Sequence, residues 1–66
     1  MSYQLVIVYK NKREEILRIK FNYDDRLHMD QEYNKFKTSG KLYGFDILTI
    51  DRYQIKKTIK KKRIKE

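Results

Sequence analysis

The sequence predicts a small α+β fold, a single-layer sheet with the element order ββαβα. Three observations lead there: two stretches of apolar alternation near the start, one helical period after them, and a β-branched run that leads into lysines. At 66 residues the chain has room for one domain, and such a chain hides only about 60% of the surface its unfolded form exposes. Its core must be thin. With no cysteine, neither a disulfide nor a thiolate zinc site reinforces it, and one histidine is too few for the usual His-rich metal site. No metal or cofactor is expected.

From Tyr3 to Lys10 the residues Tyr3, Leu5, Ile7 and Tyr9 fall on one side and Gln4, Val6, Val8 and Lys10 on the other, which makes a strand. The polar stretch Lys10-Asn11-Lys12-Arg13-Glu14 closes a hairpin, with Asn11 as the residue that tolerates a left-handed turn. Glu15 to Tyr23 alternates again, Leu17, Ile19, Phe21 and Tyr23 against Ile16, Arg18, Lys20 and Asn22. The N-terminal hairpin therefore has a greasy face of Leu5, Ile7, Leu17, Ile19 and Phe21. Its other face mixes Val6, Val8 and Ile16 with Arg18 and Lys20, as in a sheet half open to solvent.

Alternation stops at Asp24-Asp25, and Asp24, Asp25 and Asp30 are all able to cap a helix. Met29, Tyr33, Phe36 and Gly40 then recur at steps of four, three and four, and Ser39-Gly40 ends the helix with a residue suited to the left-handed region. Gly44 loosens the chain once more. Phe45 to Ile50 reads as a third strand, expected to be the most buried. Asp51 to Gln54 has the form of a capping box, with Ile50 and Ile55 as a hydrophobic staple, so a basic C-terminal helix is expected to follow. The rival reading is a strand, yet one running from Phe45 to Ile59 would exceed the usual 3 to 10 residues. A fourth strand after a break is the remaining alternative. A right-handed crossover between Glu15 and Ile50 would lay the helix on the greasy face. Residues 1–55 then form the body, and residues 56–66 the lysine-rich end of the same domain. Tyrosines recur every ten residues from Tyr23 to Tyr53, but their neighbours differ, so no repeat is read from them.

Charge is distributed unevenly. Residues 1–55 carry ten Lys/Arg against eight Asp/Glu, whereas residues 56–66 carry seven against Glu66 alone, so most of the net +8 sits at the end. Such asymmetry points to a polyanionic partner. The longest apolar run, Leu5 to Tyr9, is far short of the roughly 20 residues of a membrane span, and it precedes the lysines, unlike a secretory signal. A cytoplasmic protein without a membrane partner is expected. Richness in lysine, isoleucine and tyrosine without tryptophan or proline suits an AT-rich genome, bacterial or phage.

Two enzyme classes were weighed on the residues. Asp24, Asp25, His28, Asp30 and Glu32 lie close together, but all sit at one helix start, where acidic residues serve as caps, whereas a two-metal site needs carboxylates converging from several elements. A ribonuclease needs a poised acid and base, and beyond His28 no spacing supplies them. Gly40-Lys41 lacks the remainder of a phosphate loop. The expectation is a non-enzymatic, regulatory nucleic-acid-binding protein. Its phosphate contacts would be Lys56, Lys57, Lys60, Lys61, Lys62, Arg63 and Lys65, with Arg18 and Lys20 on the open face. Four to six such contacts on duplex DNA give a logarithmic salt slope of about −4 to −5, with little sequence preference because lysine acts as a point charge. Tyr9, Tyr23, Tyr43, Tyr53 or Phe45 could stack on unpaired bases, although each also serves a small core. The alternative is a protein-interaction module, an inhibitor or modulator that docks an acidic protein surface through Val6, Val8 and Ile16 or a sheet edge. A homodimer would cover that same face.

Overall fold

A run of apolar, mostly β-branched or aromatic residues, Leu5-Val6-Ile7-Val8-Tyr9, makes β1 (Ser2–Lys10) a strand, and the chain builds everything else around it. The computed structural model describes residues 2–56 and 61–64. After β1 come β2 (Ile16–Tyr23), α1 (Arg26–Ser39), β3 (Lys41–Leu42), β4 (Phe45–Ile55) and β5 (Lys61–Ile64). The sheet runs β2-β1-β4-β3, and β5 pairs with β4 on the same edge as β3. All pairings are antiparallel, so β2 and β4 run parallel to each other with β1 between them. The connection from β2 through α1 to β4 thus passes over β1.

Central position, rather than composition, decides which strand is most buried. β1 has a partner on each side along its length, from Tyr3 opposite Tyr23 and Gln54 to Lys10 opposite Ile16 and Asp46. Leu5 and Ile7 consequently have no exposed surface, while in the expected third strand Leu48 is 48% exposed. The core on the greasy face joins Leu5, Ile7, Met29, Tyr33 and Leu42, with Ile19, Phe21 and Phe36 packed against it. The helix lies there as its period requires. Asp25 caps it by accepting from the Leu27 amide at 3.0 Å, and Gly40 closes it at φ +66° with its N–H on the Phe36 carbonyl at 2.7 Å.

The C-terminal helix is not formed. Asp51 to Gln54 lies inside β4, which continues unbroken to Ile55, and Lys61–Ile64 forms β5, so the order ββαβα is replaced by ββαβββ. The physical reason is β1: its outer edge offers backbone partners as far as Ser2, and Ile55 takes the last of them. A capping box satisfies two amides, whereas continuing the ladder satisfies every amide and carbonyl facing β1. Eleven residues are accommodated because a bulge at Leu48, between the pairs Val8–Thr49 and Tyr9–Ile47, bends the strand.

Two turns also differ from expectation. In the first hairpin Glu14, not Asn11, takes the left-handed conformation, at φ +62°. Asn11 instead uses its side chain, whose Oδ1 accepts from the amides of Arg13 at 3.0 Å and Glu15 at 2.9 Å. The second is a two-residue hairpin between Leu42 and Phe45. Its central residues Tyr43 and Gly44 are both at positive φ, +52° and +81°, which defines a type I′ turn and creates β3.

Candidate polyanion-binding face

The face of the sheet opposite the helix is assembled by register. Gln4 on β1 lies between Asn22 on β2 and Tyr53 on β4, and Tyr53 in turn pairs with Arg63 on β5. In the next row Val6 lies between Lys20 and Asp51, and in the following one Val8 lies between Arg18 and Thr49. Residues opposite one another across strands share a face, so three rows gather cations, amides and one tyrosine on this side.

Lys61 joins them from β5. Its ammonium lies over the Tyr53 ring, 4.3 Å from the centroid. Desolvation holds the Lys61 amine below its ordinary pKa, and the charges of Lys20 and Arg18 push it the same way. Among the described residues no carboxylate forms an ion pair with any of the three. Asp51, the acid on this face nearest in register, is held by Arg63 at 2.7 Å. Gln4 donates from Nε2 to Asn22 Oδ1 at 3.1 Å, while its own Oε1 is buried with no donor among the described residues. The face presents excess positive charge, with an unmet acceptor buried in it.

Of the residues singled out in the sequence, Arg18 and Lys20 are exposed on this face, and Lys61 is brought to them by the strand that replaces the expected helix. Arg63 is engaged with Asp51. Lys62 pairs with Gln54, and the register puts it on the helix side. Lys56 is exposed beyond the end of β4, and Lys57, Lys60 and Lys65 lie outside the described residues. Val6 is buried, Val8 is half-buried, and Ile16 at 67% exposure is open to solvent, so the three do not make one apolar surface. Gln4 and Asn22 fall on this side as the sequence alternation predicts, whereas Tyr53 is not expected there. The alternation of β1 and β2 already groups the two amides, but Tyr53 falls into place only once residues 45–55 are read as strand.

The acidic residues of the helix start have structural partners. Asp25 caps the helix, and Asp30 accepts from Arg52 Nη1 at 2.8 Å with the Arg26 side chain 3.6 Å away. His28 lies 3.9 Å from Glu32 and edge-on to Tyr23. Among the described residues no three His, Asp or Glu side chains come together as metal ligands would. An open recess of about 240 Å³ beside the first hairpin is lined by Asn11, Lys12, Arg13, Glu15 and Phe45. No helix among the described residues is long and apolar enough to cross a membrane. No family model, curated protein or solved structure matches the chain.

Proposed function

We propose that this chain is a cytoplasmic, non-enzymatic regulatory protein that binds the phosphate backbone of nucleic acid through the uncovered sheet face. The observation that supports the reading is that the register sets Arg18, Lys20 and Lys61 on one sheet face, each without a carboxylate partner among the described residues. Three unneutralised cations held by a sheet raise the local anion concentration and release counterions from a bound phosphate chain. The further lysines of residues 56–66 extend the field.

The test is a fluorescence-anisotropy titration of the full chain against labelled duplex DNA, single-stranded DNA and RNA between about 50 and 300 mM salt. Three to five phosphate contacts predict a slope of about −2 to −4 in log K against log salt, and Lys20→Gln should make it shallower by nearly one. Absence of binding at the lowest salt would sink the reading. The second reading, docking of an acidic protein segment, is favoured by one feature: among the described residues β2 pairs only with β1, and it carries exposed Ile16, Arg18 and Lys20.

A further inference from the structure

Most aromatic rings of this protein are spoken for on the helix side. Tyr9 stacks on Phe45 with centroids 5.9 Å apart, Phe21 on Phe36 at 6.0 Å, and Tyr23 meets His28 edge-on at 5.0 Å. Tyr33 is buried in the core beneath the Arg52 guanidinium. Tyr53 is different: it is the one aromatic residue that the register sets on the face of Arg18 and Lys20. Its ring is met by the Lys61 ammonium, and in register beside it lies Gln4, whose Oε1 lacks a donor.

Shape selects the form of nucleic acid. Across this face β2, β1, β4 and β5 lie side by side. Four strands at a spacing of about 4.8 Å span about 14 Å before side chains are added, more than the roughly 12 Å of a duplex major groove. A face this broad cannot enter a groove, and in a duplex the bases are not free to meet a ring. An unpaired strand has both its phosphates and its base faces available.

We infer that the face takes single-stranded nucleic acid, with one base stacked on Tyr53 in the place held by the Lys61 ammonium, which moves to a phosphate beside Lys20 and Arg18. The inference rests on the nucleic-acid reading above and names its substrate form. The exchange is favoured on both sides. A bound phosphate relieves the like-charge repulsion of Lys61 by Lys20 and Arg18, and a base brings ring or exocyclic N–H groups toward the exposed Asn22 amide, whose Oδ1 already accepts from Gln4. Because every base has a π-face and an N–H, little base preference follows.

The experiment uses the full chain and three labelled probes: an oligonucleotide strand, the same backbone without bases and so of equal length and charge, and a duplex of the same length. The base-bearing strand should bind about 5- to 100-fold more tightly than the abasic one, the range that one stacked base supplies. Tyr53→Leu should erase that difference while leaving abasic affinity unchanged, and Tyr53→Phe should keep it. Lys61→Gln should make the salt slope shallower by about 0.7 and preserve the preference for bases. Equal, salt-steep binding of base-bearing and abasic strands, or tighter binding of duplex, would overturn the stacking site and leave the electrostatic reading standing. A Tyr53→Leu variant that loses both strands equally would show a structural ring and also overturn it. No binding of any probe at about 50 mM salt would remove both readings together.

Discussion

Tyr43 occupies a position that chemistry reserves for other residues. At φ +52° in the first central position of a type I′ turn, it carries the steric cost that asparagine, aspartate or glycine would avoid. Its ring is 70% exposed, so little packing offsets that cost. Replacing Tyr43 with asparagine should therefore stabilise the protein by about 0.5–1 kcal/mol, read as a raised midpoint in urea with an unchanged slope. Glu14, at φ +62° in the other hairpin, is strained in the same way, but it also lies 3.9 Å from Lys10, so its replacement is the less clean test. Neither strain was visible in the chain. Asn11 is the residue a turn would be expected to use, and it is used, but through its carboxamide oxygen and its backbone hydrogen bonds to Glu14 and Glu15 rather than through a left-handed conformation.

At the level of elements, the β3–β4 hairpin is locked at its open end by Lys41 and Asp46, which are opposite in register and joined by a charged hydrogen bond. That bond, and then the Lys41 charge, hold the Asp46 carboxyl below the usual carboxylate range. A carboxyl with a depressed folded-state pKa contributes stability that is present above its unfolded pKa and lost as pH falls through the folded one. Acidification through that window should shift the amide resonances of Leu42 and Phe45, and Asp46→Asn should remove the acid step. The first hairpin and the helix were legible because each face has one consistent period: Leu5, Ile7, Ile19 and Phe21 meet Met29, Tyr33 and Phe36 as alternation and helical spacing require. The C-terminal third was not. Asp51-Arg52-Tyr53-Gln54 satisfies a local capping rule, while the interaction that wins is a ladder with β1, some fifty residues away in sequence and invisible to any short window. Half of the candidate face, Arg18 and Lys20, was readable from β2; Tyr53 and the setting of Lys61 were hidden by the same error.

Taken whole, the molecule stands on very few side chains. Five residues make the buried cluster, and a chain of this size is expected to have about 3–10 kcal/mol of stability in all. Ile7→Ala, which empties a site of 0% exposure in the central strand, should cost about 2–4 kcal/mol and abolish or sharply lower the cooperative thermal transition seen by circular dichroism. Leu27→Ala, at a helix position 64% exposed, should change stability by no more than about 0.5 kcal/mol. A similar loss in both variants would show that the helix-side cluster is not the seat of stability. This thinness also bears on the sheet face opposite: with most of the buried residues on the helix side and Val6 alone buried on the other among the described residues, that surface carries mutually repelling cations because the ladder of β1 holds their strands in place.

The partnership of Ser2 with Ile55 ties the first described residue to the end of β4. During synthesis the N-terminal hairpin can close as soon as it leaves the ribosome, but its inner strand keeps an open flank until the fifty-fifth residue has emerged. The sheet is therefore completed late, and until then β1 is paired with β2 on one flank only. A ribosome stalled before that point would present a product fit for proteolysis rather than a partly working one.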